Sequence, residues 1–224
     1  MLDAVIFDFD GIIVDTEPLH YRAFQEMLVP LGLGYSWQEY LDTYLGFDDR
    51  DAFREAFHVA GRQLSPEELK NLMDGKAHAF LRIVSAGVPP YPGVVELIRS
   101  ISGTLPLALC SGALRSDIDP ILTQLGLTGA FDTLVTADEV AASKPDPESY
   151  RLAVQRLQEL YPGRINPVHS LAIEDILAGI VSATGAGLKV LAVTNSYPEE
   201  RLTGACRVVA SLVGVDLEGL RLLL

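Results

Sequence analysis

The chain has 224 residues, enough to bury a sizeable core in one large domain or in one domain carrying an insertion. Its 30 acidic residues against 17 basic ones leave a net charge of −13, which argues against a non-specific nucleic-acid surface. No charge-free run reaches the roughly eighteen residues of a membrane span, and Cys110 and Cys206 form no metal-spaced cluster, so both read as small buried side chains and not as a disulfide. With a strand-like segment directly at the start and no signal-peptide pattern, a cytoplasmic protein is expected, a monomer or weak homodimer without membrane or nucleic-acid partners.

The first predicted element is the apolar strand that runs into Val5-Ile6-Phe7-Asp8-Phe9-Asp10-Gly11. Read as strand, residues i and i+2 put Asp8 and Asp10 on one face. Two like charges buried together require a cation or a proton to relieve them. Such a pair suits a nucleophile beside a general acid/base; an Asp-Gly turn is the plainer alternative. Residues 17 to 86 read as helical. Tyr21, Phe24, Leu28 and Leu31 recur at helical spacing, as do Phe53, Phe57 and Ala60, and Ser65-Pro66-Glu67-Glu68 reads as a helix start. Pro89-Pro90 and Pro92-Gly93 break the pattern.

A helix near Val94 to Ile101 then leads into alternation. Strands are expected at Leu105–Ser111, Phe131–Val135, Val168–Ile173 and Leu188–Thr194, with helices at Leu114–Leu125, Glu148–Leu160 and Leu177–Thr184. This predicts an α/β fold, a parallel sheet with helices on both faces. The core is expected over residues 1–16 and 87–224, with an inserted helical domain over 17–86. Polar groups end or follow the strand-like segments: Ser111 after Leu105–Cys110, Lys144-Pro145 after Asp138–Ser143, and Glu174-Asp175 after Val168–Ile173. In a parallel sheet the carboxyl ends share one edge, where ligands bind, so these stations can converge with Asp8 and Asp10.

In this order, Asp8-Phe9-Asp10-Gly11, Ser111, Lys144 and Glu174-Asp175 resemble the four motifs of the haloacid dehalogenase superfamily of phosphotransferases. Asp15-Thr16-Glu17-Pro18-Leu19-His20, Tyr91-Pro92-Gly93-Val94 and Ala141-Ala142-Ser143-Lys144-Pro145 are similar to the branch holding β-phosphoglucomutase and phosphoglycolate-type phosphatases. The resemblance implies a Rossmann-like core and a helical cap that closes over the substrate. It also implies Asp8 as nucleophile, forming an aspartyl-phosphate, and Asp10 as general acid/base. Ser111, the Gly112 amide and Lys144 would bind phosphate. Mg²⁺ would be held by Asp8, the Asp10 carbonyl and Asp175, with Glu174 as a direct or water-mediated ligand. By the same resemblance, an acid at the position of Asp10 marks phosphoryl transfer over carbon–halogen cleavage.

The chain departs from the branch in places. Ile176 stands where serine is common after the acidic pair. Arg50 lies four residues after Gly46, where mutases have an arginine three residues after glycine. Leu114, followed by Arg115, stands where the mutase has lysine. His20, Arg50, Lys76 and Arg115 remain candidates for substrate contact. The reading is a Mg²⁺-dependent phosphatase of a small phosphorylated metabolite, such as a sugar phosphate. The alternatives are a β-phosphoglucomutase-type mutase and, from another class, a phospho-receiver module, whose usual domain size of about 100–150 residues leaves no room for the insertion.

Overall fold

The structure, a computed structural model, describes every residue except Met1, Leu45, Gly46 and Asp48. In chain order the elements are β1 (Ala4–Phe7), α1 (Glu17–Leu28), α2 (Trp37–Glu39), α3 (Asp49–Val59), α4 (Pro66–Ser85), α5 (Val94–Ile101), β2 (Leu107–Cys110), α6 (Arg115–Gln124), β3 (Thr133–Val135), α7 (Glu148–Leu160), β4 (Ser170–Glu174), α8 (Leu177–Gly185), β5 (Lys189–Val193), β6 (Arg207–Val209) and α9 (Leu217–Arg221). They fall into two units, Met1–Asp15 with Pro89–Leu224, and Thr16–Val88.

All four residues of β1 are buried, as are those of β2, and strands buried on both faces belong to a parallel sheet covered by helices. The sheet has six parallel strands in the order β3-β2-β1-β4-β5-β6. It grows outward from β1 in one direction through β2 and β3, and in the other through β4 to β6. The switch point at β1 is where a doubly wound sheet opens a crevice at its carboxyl edge. Beneath one face, Tyr150, Ala153 and Leu157 of α7 and Ile180 and Ala183 of α8 pack on Ile6, Ala108 and Ala172.

The α/β architecture with a helical insertion agrees with the sequence reading, and Glu148–Leu160 and Val94–Ile101 form helices at the expected bounds. The strands are shorter than their apolar runs, because flanking residues such as Leu105 and Phe131 pack into the core from loops. Strand β6 and helix α9 were not anticipated. The three residues Arg207–Val209 at the sheet edge are only partly buried and carry no long apolar signal. Cys206, just before this strand, is exposed, in contrast to the expected burial; Cys110 is buried, and both are free thiols.

In the helical unit, Phe24 and Leu28 of α1 meet Phe53 and Phe57 of α3 in a core of their own. Leu31 leaves that stripe because Val29-Pro30 ends α1, and it is exposed, as is Ala60 past the end of α3. Helix α4 starts as its sequence signals: Pro66 takes the first helical position, the Ser65 hydroxyl accepts from the Glu68 amide, and Glu68 reaches back to Ser65. No helix among the described residues is long and apolar enough to cross a membrane.

The turn from β4 into α8 allows very little space. A Cβ on Gly179 would lie 2.0 Å from the carboxyl carbon of Glu174 and 2.1 Å from each of its oxygens. Gly179→Ala is therefore expected to lower stability by about 1–3 kcal/mol in urea unfolding, and adding Glu174→Ala should remove most of that extra cost. An unchanged midpoint for Gly179→Ala would contradict this packing.

Candidate active site

The strand register builds the site. Phe7 is level with Leu109 on one side and Ile173 on the other, so the next residues, Asp8, Cys110 and Glu174, come level at the carboxyl edge. Ser111 and Asp175 follow Cys110 and Glu174 by one residue each. The sheet thus delivers Asp8, Ser111, Glu174 and Asp175 together, all of them buried. Lys144 comes from the loop before α7. Its ammonium donates to Asp8 Oδ1 at 2.7 Å, to Glu174 Oε1 at 2.6 Å and to the Cys110 carbonyl at 3.3 Å.

The loop that carries Lys144 is held from two helices. Glu148, at the start of α7, accepts from the amides of Ala141 and Ala142, and Ser182 of α8 donates to the Asp146 carbonyl at 2.6 Å. The hydroxyl oxygen of Ser111 accepts from the Ala113 amide at 3.0 Å, and Gly112 between them is exposed with open space around it.

Asp10 lies in the turn that follows the first strand. Strand β1 ends at Phe7, and the chain turns immediately: the Ile13 amide donates to the Phe9 carbonyl and the Gly11 amide to the Val14 carbonyl, both at 2.8 Å. Gly11, at φ +81°, is required there because a Cβ would fall 1.9 Å from Asp175 Oδ2. Asn195, two residues past the end of β5, donates to the Gly11 carbonyl at 2.6 Å and fixes the turn.

Electrostatically the site carries more negative charge than it neutralises. Asp8, Glu174 and Asp175 each present an oxygen, all within 4.8 Å of one another, against the single ammonium of Lys144. Burial, then repulsion from Glu174, pushes the Asp8 carboxyl up to about 7 despite Lys144. Burial, then repulsion from Asp8, pushes Asp175 up to about 8, although Lys144 pulls the other way. Burial alone would lower the Lys144 ammonium, but Asp8 and Glu174 overcome it and hold it well above its ordinary range. Among the described residues, neither carboxylate oxygen of Asp175 makes a hydrogen bond of good geometry. A buried, oxygen-only donor set with surplus negative charge fits a hard divalent cation. The side chain of Asp10 is not part of this three-carboxylate group.

Three of the remaining candidates belong to the helical unit and one to α6. In the helical unit, the buried Lys76 ammonium bonds His20 Nδ1 at 2.8 Å and Asp49 Oδ1 at 2.7 Å and faces the rings of Phe24 and Phe80. His20 stacks on Phe80, and burial, then Lys76, holds its imidazole well below the usual range and therefore neutral. Arg50 is exposed in the first turn of α3; Gly46 and Asp48, which bear on its register, lie outside the described residues. Arg115 pairs with Asp119 one turn along the exposed face of α6. Ile176 caps α8 without a side-chain hydrogen bond, as its departure from serine implies.

Sequence reasoning did not single out Tyr150, Asn195 or the packing roles of Gly11 and Gly179. Tyr150 lies six residues after Lys144 on the buried stripe of α7, and its apolar neighbours give it the signature of an ordinary core residue. Asp49 carried no signal beyond its place in an acidic stretch.

The model of the haloacid dehalogenase-like hydrolases matches residues 5–193. The protein CbbY of Rhodobacter capsulatus is 31% identical, covering 88% of this chain and 87% of that protein. Fructose-1-phosphate phosphatase YqaB of Escherichia coli (strain K12) is 30% identical, covering 82% of this chain and 92% of that protein. The crystal structure of a mutant CbbY from Rhodobacter sphaeroides in complex with xylulose-(1,5)bisphosphate superposes with a TM-score of 0.83 at 26% identity, covering 98% of this chain and 99% of that one. With the buried acid cluster at the carboxyl edge of a doubly wound sheet and a family match that runs from β1 to the end of β5, the chain belongs to the haloacid dehalogenase-like hydrolases.

Proposed function

We propose that the protein is a Mg²⁺-dependent phosphatase of small phosphorylated sugars that works through an aspartyl-phosphate on Asp8. The observation that carries this reading is the Lys144 ammonium, mostly buried and bonded to both Asp8 and Glu174 beside an Asp175 carboxylate that makes no hydrogen bond of good geometry among the described residues. Hydrolysis of a sugar phosphate by YqaB and a bound sugar bisphosphate in CbbY, as their names state, support the substrate class.

In this reading the Asp8 carboxylate attacks phosphorus, and the bond from phosphorus to the sugar oxygen breaks. Asp10 gives its proton to that leaving oxygen. As a carboxylate it then takes a proton from a water molecule, whose oxygen attacks the phosphorus of the aspartyl-phosphate and frees phosphate and Asp8. Lys144 sits against the nucleophile, so it offsets the repulsion between Asp8 and an incoming phosphate dianion. The Ser111 hydroxyl and Gly112 amide hold phosphate oxygens at the end of β2. Asp8 and Asp175, with the Asp10 carbonyl, would hold Mg²⁺, and Glu174 lies beside Asp8 and Asp175. When bound, the ion neutralises charge on the phosphoryl group. Substrate selection is assigned to the helical insertion, with His20, Lys76 and Arg50 as its candidates, and to Arg115.

The mutase alternative uses the same aspartyl-phosphate and differs in the acceptor, a sugar hydroxyl in place of water. The arginine and lysine that mark the mutases are displaced in this chain, at Arg50 and at Leu114-Arg115, which favours hydrolysis.

The test is phosphate release from a panel of sugar monophosphates with Mg²⁺ or EDTA. Release that requires the metal is expected; release only after priming with a sugar bisphosphate, accompanied by isomerisation, would contradict the hydrolase reading. Asp10→Asn should slow turnover by about 10² or more while leaving phosphate binding close to wild type, as measured by competition with inorganic phosphate. Unchanged turnover would remove Asp10 from the mechanism.

A second prediction follows from the raised carboxyl groups. Asp8 and Asp175 bind protons more tightly folded than unfolded, so metal-free stability falls as pH rises from about 4 through 7–8. Mg²⁺ competes with those protons and stabilises the folded state by mass action, increasingly as pH rises. The Mg²⁺-induced rise in Tm should therefore be larger at pH 8 than at pH 5.5, and should shrink in Asp175→Asn. An increment equal at both pH values, or unchanged in the variant, would contradict the metal assignment.

A further inference from the structure

The fully buried Tyr150 touches both partners of the central ion pair. Its hydroxyl donates to Glu174 Oε1 at 2.6 Å, and the Lys144 ammonium lies 4.9 Å from the centre of its ring. Oxygen Oε1 is the same atom that accepts from Lys144 at 2.6 Å, and Glu174 Oε2 lies 3.3 Å from the Asp175 amide. The Glu174 carboxylate is thus held by one side-chain hydroxyl, one ammonium and one backbone amide, and Gly179 closes the space behind it. Among the described residues, neither oxygen of Asp175 makes a hydrogen bond of comparable geometry.

We infer that Tyr150 is a positioning residue: by fixing the rotation of Glu174, it commits that carboxylate to holding Lys144 against Asp8 and leaves Asp175 to face the cation. This rests on the reading of Asp8 as the nucleophile with Lys144 as the cation beside it. The hydroxyl donates to a carboxylate that already accepts a buried ammonium. Its removal leaves Oε1 with one donor and frees Glu174 to turn toward the cation. The ring, by contrast, keeps its contact with Lys144 whether or not the hydroxyl is present. Tyr150→Phe therefore separates positioning from packing.

The experiment pairs kinetics with a readout that does not depend on turnover. Tyr150→Phe should lower kcat/KM by about 10-fold or more, the usual scale for a group that orients a site from behind. In a Glu174→Gln background the same change should cost no more than about twofold, because its effect runs through Glu174. A full, additive loss in that background would overturn the inference. In parallel, the ¹⁵N-bound ammonium protons of Lys144, assigned by their absence in Lys144→Ala, should exchange slowly with water in the wild type and faster in Tyr150→Phe. The same exchange in both proteins, or no protected signal in the wild type, would also overturn it. Absence of phosphate release from the wild type would refute the functional reading, while the exchange measurement would still decide the role of Tyr150.

Discussion

Three carboxylates and one ammonium are buried together at the carboxyl edge of the sheet, and most of the surrounding structure follows from that imbalance. Lys144 meets Asp8 and Glu174 at 2.7 and 2.6 Å, but burial, and then repulsion among the acids, leaves Asp8 and Asp175 pushed toward protonation. A buried arrangement of this kind costs stability unless each charge is paired or a cation completes the set. The protein retains it where a parallel sheet binds ligands, and a phosphoryl group transferred there needs both an ionised nucleophile and positive charge close by.

The surrounding chain is arranged to hold these charges still. Register sets three of the acids, since Asp8 and Glu174 come level past β1 and β4 and Asp175 is the next residue. Two glycines make room for carboxylates, Gly11 beneath Asp175 and Gly179 behind Glu174. Glu148 and Ser182 pin the loop of Lys144 from different helices, and Asn195 pins the turn of Asp10 through the Gly11 carbonyl. The helical unit repeats the pattern on a smaller scale, with Lys76 buried between Asp49 and His20 over two aromatic rings.

Much of this was legible in the sequence, because apolar runs that end in Asp, Ser or Glu-Asp mark strand ends in a parallel sheet, and their order matches a known family. Asp8, Ser111, Lys144, Glu174 and Asp175 come together as that order implies. The sequence was less informative where one residue plays two roles or where geometry depends on a turn. Tyr150 has the apolar neighbours of a core position, and only the fold reveals its hydroxyl against Glu174. The apolar run suggested strand as far as Asp10, whereas β1 ends at Phe7 and Asp10 sits in the turn that follows. Short edge elements such as β6 carry too few buried residues to show as a periodic signal.

The most direct test of the account is chemical trapping of the intermediate. The enzyme would be mixed with Mg²⁺ and a sugar phosphate that it hydrolyses, quenched within one turnover and treated with borohydride, which reduces an acyl phosphate to the alcohol; peptide mass spectrometry then locates the modified residue. The account predicts reduction at Asp8 alone, dependent on substrate and lost in Lys144→Ala. Phosphate release at full rate with Asp8 unmodified, or reduction at another carboxylate, would contradict it.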